Sequence, residues 1–175
     1  MLTAGVRDVI HACYEHISQT MTGMFEGHSF AAGTEVTLSE AASQQLIAVG
    51  RMLDDYGLDP EALQHCRNAL ADLDNIYRNI VYWTAVGDLK TGHVWRWPTM
   101  VSLGFIRLVQ ARNSPALVVF AHYAAASSAV KQSWYTSHWG EFALRGVSLE
   151  LEDDMQHWLD WPREQEHERM AGLNP

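Results

Sequence analysis

Cysteine is scarce in this 175-residue chain: Cys13 and Cys66 are the only two. Two cysteines make neither a disulfide framework nor a zinc motif, and they fit a reducing compartment, cytoplasmic or nuclear. Basic residues are also few. Twelve Lys and Arg stand against 21 Asp and Glu, for a formal charge of −9. A surface so charged has little non-specific attraction for nucleic acid or anionic membrane, because both need cations. No apolar run reaches the ~18 residues of a membrane span. The opening Met1-Leu2-Thr3-Ala4-Gly5-Val6-Arg7-Asp8 lacks the basic start and long apolar stretch of a signal peptide. Glycine-rich phosphate loops, dinucleotide fingerprints and nucleophile elbows are missing as well, and no alternation of strand and helix patterns supports a dinucleotide fold. The expectation is a protein without an organic cofactor or a metal.

Aromatics and histidine are abundant by contrast: seven Trp and nine His. Six of the Trp lie beyond residue 90. Aromatic density of this kind builds a core or the wall of a pocket. Apolar residues make up 47% of the chain and charged residues 19%, a globular balance. The length is that of one domain able to bury a core without staples.

Apolar residues recur at helical spacing almost throughout. Val6 to Met24 forms one amphipathic stripe, followed by a loop over 27–33. Thr37 to Glu40 has the form of a capping box, and a helix carrying Leu46, Val49, Leu53 and Tyr56 on one side runs to Gly57. Asp59-Pro60-Glu61 opens a helix of over 20 residues, with Asp as cap, Pro in the first turn and an acid at the positive dipole end. A glycine-flanked loop, 87–92, leads to His93–Pro98, which reads as extended because Pro98 disfavours helical geometry at Trp97. A short helix follows over 102–110. Asn113-Ser114-Pro115 then opens a segment apolar on every side apart from His122 and Tyr123. Such a helix is buried. Shorter helices over 137–146 and 148–161 and a solvated 163–170 complete the pattern. The expected fold is all-α: a single domain, 1–175, of about 6–8 helices around a buried apolar helix at 115–131.

His11 and His16 are five apart, off the four-residue spacing of a two-His zinc helix, and His11 with Glu15 gives only two ligands. His157 near Asp153 and Asp154 reads as a surface group. The pair His122–Tyr123 is more informative. Each would cost roughly 1–3 kcal/mol if buried unpaired, so they either hydrogen-bond within the core or face a cavity. Facing a cavity, His122 is the natural acid–base group and Tyr123 points about 100° away. Trp95, Trp97, Phe105, Phe120, Trp134 and Tyr135 are candidate wall residues. Arg96 and Asp88 are candidates for a polar mouth, although Asp88 also suits a turn.

Trp95-Arg-Trp-Pro98, Phe105-Ile-Arg-Leu-Val109, Arg112 to Tyr123, Trp134-Tyr135 with Trp139, and Trp158-Leu-Asp-Trp-Pro162 together resemble the C-terminal regulatory domain of fungal zinc-cluster transcription factors. The sterol uptake control regulators are the most similar group, and the resemblance covers residues 75–162. It implies an α-helical fold enclosing an apolar ligand pocket. The six-cysteine DNA-reading cluster of that family has no counterpart here, so DNA binding does not carry over. Two functions follow as expectations. One is a stand-alone pocket protein of fungal secondary metabolism that binds an apolar terpenoid, sterol or polyketide and cyclises or isomerises it without a cofactor. The other is a ligand-sensing effector domain lacking its DNA-binding half. A helical interaction module with a filled core, its Trp-rich face serving a homodimer or another partner, is the third reading.

Overall fold

The computed structural model describes residues 36–130 and 138–174, all helix and connection with no strand among them. The expected stripe at residues 6–24, the histidines His11 and His16, Cys13, Trp134 and Tyr135 lie outside the described residues.

Helix α1 spans Glu40–Asp55 and α2 spans Pro60–Val86. Ser39, rather than Thr37, caps α1: its hydroxyl accepts from the Ala42 amide at 3.2 Å. Glu40 therefore occupies the first helical position and bonds forward to Gln44 instead of back to a cap. The α1 stripe of Leu46, Val49, Met52 and Leu53 packs on α2. Asp59 caps α2 through the Glu61 and Ala62 amides, with Pro60 in the first turn where no donor is lost. At 27 residues, α2 is about 40 Å long. It ends at Gly87, whose φ of 78° is a left-handed value open to glycine at little cost.

Residues 91–100 depart from the extended reading. Helix α3, Thr91–Trp95, and helix α4, Trp97–Met100, follow each other with a helical Arg96 between them. Pro98 is the second residue of α4, where its missing N–H has no partner to lose, so it starts a turn instead of breaking one. Helix α5, Leu103–Gln110, is capped by the Ser102 hydroxyl, and α6, Ser114–Ala126, by Asn113.

Every residue of α6 is buried. It packs against α1, α2, α5 and the two helices that follow, as an all-apolar helix must. It stops earlier than the 115–131 span expected. A 3₁₀ turn over Ser127–Ala129 replaces its last turn, with the Ser127 and Ser128 hydroxyls bonded back to the Ala124 and Ala125 carbonyls. Such back-bonding competes with helix continuation.

Helix α7 is Trp139–Glu150, then a 3₁₀ stretch covers Asp153–Leu159, and α8 is Asp160–Glu168. The break comes at Leu151, not at Gly146 as the glycine suggested. Ala143, Gly146 and Val147 share the buried face of α7, and packing there outweighs the propensity cost of one glycine. Residues 163–170 are not a wholly solvated tail either. Gln165 and Met170 are buried, and Leu173 is sealed beneath the start of α1. The Ser39 amide and hydroxyl donate to the Leu173 and Gly172 carbonyls, tying the segment after α8 to the start of α1.

Helices α6 and α7 are tightly packed at Gly140. A Cβ there would stand 2.6 Å from the Ala124 carbonyl oxygen and 2.9 Å from the Ser127 hydroxyl. Gly140→Ala is expected to force the two helices apart and destabilise the fold by about 1–3 kcal/mol, read as a fall in the denaturant midpoint.

Candidate functional site

Helix α6 carries His122 and Tyr123 into the centre of the molecule, where both are fully buried. Nδ1 of His122 lies 2.8 Å from the Val118 carbonyl, which can only accept, so this nitrogen carries the proton. Nε2 is then the acceptor for the Gln45 side-chain amide at 3.0 Å. The ring stacks on Trp161 at 5.4 Å, and the Tyr77 hydroxyl donates to the His122 carbonyl at 3.0 Å. Burial lowers the His122 pKa to about 4, opposed in part by the Val118 bond. The imidazole is neutral at pH 7, and both of its nitrogens are committed within the core.

Tyr123 points the other way on α6, as the 100° step requires. It stacks on Trp97 at 4.4 Å, with Trp139 edge-on at 5.7 Å. Around it gather several of the aromatics marked out in the sequence. Phe105 meets Trp97 edge to face at 5.5 Å, while Phe120 and Trp95 each meet Trp139, at 6.0 and 5.0 Å. Nε1 of Trp97 donates to the Ala69 carbonyl at 3.0 Å. These groups touch one another, and the geometry is that of an interlocked aromatic core. His122 and Tyr123 thus belong to two different clusters on two faces of one helix.

The two polar candidates sit apart from both. Asp88 is half-exposed and pairs with Lys90 at 3.0 Å in the loop after α2, in the manner of a turn residue. Arg96 lies between α3 and α4, where its charge partly offsets the burial that raises the Asp72 pKa. Among the described residues no three His, Cys, Asp or Glu side chains come together as a metal site, and His157 is an exposed group bonded to the Asp154 carbonyl. Cys66 is buried, and burial raises its thiol pKa to about 11, which leaves it protonated and inert at neutral pH.

A cleft of about 420 Å³ opens elsewhere, within the ~300–1,000 Å³ range of small-molecule sites. Its walls come from three stretches distant in sequence. Ile80, Val81 and Trp83 belong to the last turns of α2, Val130 follows the 3₁₀ turn after α6, and Met170 and Leu173 come from the hook after α8. Trp83 is held in place by stacking on His93 at 4.5 Å, whose Nδ1 in turn accepts from the Lys90 amide. Thr84, Asn174 and Arg169 supply the polar part of the lining. Arg169 and Met170 adopt left-handed backbones, with φ of 56° and 61°, a conformation that costs a non-glycine residue roughly 1–2 kcal/mol. Burial of Met170 and Leu173 offsets that cost and holds the hook against α1 and α8.

Sequence reasoning passed over this cleft. Its residues carry no motif, and the segment from 163 onward reads as a charged surface. The one available signal was the pair of apolar residues Met170 and Leu173 closing an otherwise charged stretch. Comparison of the chain with protein-family models, with curated proteins and with solved structures finds no match in any of the three.

Proposed function

We propose that this protein is an α-helical binding protein for an apolar small molecule, seated in the cleft between the end of α2 and the hook after α8. The observation that carries this reading is the cleft itself: a half-open space of about 420 Å³ at the end of a long capped helix, lined by apolar and polar groups in about equal measure. Its volume is that of a small-molecule site. The apolar ligand class also agrees with the resemblance of residues 75–162 to sterol-binding regulatory domains. The reading is of binding, without an acid–base step at His122, because that ring is neutral and both its nitrogens already have partners.

The neutral apolar fluorophore N-phenyl-1-naphthylamine tests it. Saturable binding at one molecule per chain is expected. Ala171→Trp and Thr84→Trp each place an indole in the cleft from an exposed position, so both variants should fold and bind at least tenfold more weakly. Failure of the dye to bind, or unchanged binding in both variants, would overturn the reading.

A further inference from the structure

Among the described residues, the one charged side chain that lines the cleft has the opposite sign to the chain as a whole. Acids outnumber bases 21 to 12 overall, yet no carboxylate lines the cleft among the described residues, and its lining includes one cation, Arg169. Arg169 forms no ion pair among the described residues, a state it shares with Arg51, Arg107 and Arg145, none of which lines the cleft. The left-handed backbone at 169 and 170 is what turns the chain from α8 so that Met170 is buried while Arg169 remains exposed at the same rim. The remaining polar lining side chains, Thr84 and Asn174, are neutral.

We propose that the ligand is an amphiphile: an apolar body against the half-buried Trp83, Leu89 and Ala129, and one anionic head, a carboxylate or a phosphate monoester, held by the Arg169 guanidinium. This rests on the reading of the cleft as a ligand site. A planar guanidinium presents paired donors that match either anion, and a charge-assisted bond is about twice as strong as a neutral one. The head stays at the mouth in contact with water and keeps most of its hydration, and the apolar body supplies the burial. A free inorganic anion therefore gains little here, and so does an apolar molecule with a neutral head, compared with a molecule that has both parts.

Calorimetric titration with decanoate, decyl phosphate and 1-decanol separates the possibilities. Both anions are expected to bind about tenfold or more tightly than the alcohol, and the stronger of the two identifies the head group. Arg169→Asn removes the cation with a residue that tolerates the left-handed backbone. It should abolish the preference for the anions over decanol, and Arg169→Lys should restore part of that preference. Anion affinity in the wild type should also weaken with added salt, since the contact is at the surface. If none of the three binds, the cleft is not a ligand site and the proposed function fails. If all three bind equally, or if Arg169→Asn leaves the preference intact, the cleft stands and the anionic head is wrong.

Discussion

Replacing Trp97 by alanine is expected to destabilise the fold by about 4 kcal/mol, which for a chain of this size lowers the melting temperature by roughly 8–16 °C. Trp97 is among the largest fully buried side chains, at 1% exposure. It is the piece on which the second aromatic cluster closes, stacked on Tyr123 and meeting Phe105 at its edge. Its indole N–H also donates across to the Ala69 carbonyl on α2. Truncation removes the buried area, leaves a cavity that rigid neighbouring rings cannot refill, and breaks a bond between α2 and α4. Phe142, 65% exposed on α7, is the internal comparison: Phe142→Ser should stay within about 0.5 kcal/mol of the parent. Thermal unfolding of the two variants side by side checks the result. Equal effects would mean that the aromatic cluster contributes no more than a surface ring.

Stability should fall steeply as pH drops below 6.5, and His122 should be a principal cause. Its folded pKa is about 4, below the ordinary value of 6.5, because burial disfavours the imidazolium. Above pH 6.5 the ring is neutral in both states, and the full stability is present. Between 6.5 and about 4 the unfolded chain takes up a proton that the folded chain refuses. Each pH unit in that window costs about 1.4 kcal/mol, for a total of about 3 kcal/mol. Below about 4 the folded ring protonates as well, and this contribution levels off. His122→Asn keeps an N–H for the Val118 carbonyl but does not titrate. It should be less stable at pH 7, having lost the stacking on Trp161, and its stability should depend less on pH between 6.5 and 4. Denaturant midpoints measured across that range decide the matter. Parallel pH profiles for the two proteins would remove His122 from the acid response.

The choice that the sequence left open at His122, core partner or cavity group, turns on residues 77 positions apart. Gln45 on α1 reaches the ring because α1 and α6 pack together, and no local pattern encodes that pairing. The same holds for the hook. Arg169 and Met170 turn back because Met170 and Leu173 are buried as the hook packs on α1, more than 100 residues earlier. His93–Pro98 shows the limit from the other side. A proline in the first turn and a proline ending a strand look alike in a six-residue window, and the packing of α3 and α4 against α2 decides between them.

Within the described residues, the sequence alone determined the all-helical class, the caps at Asp59 and Asn113, the stops at Gly57 and Gly87, and the burial of the helix that carries His122. These are consequences of local hydrogen bonding and of hydrophobic period, both of which act over a few residues. The tertiary structure alone decided where space remains. A cleft is the volume left over when elements far apart in sequence fail to meet, and its lining is set by the packing of three separate stretches rather than by any one of them.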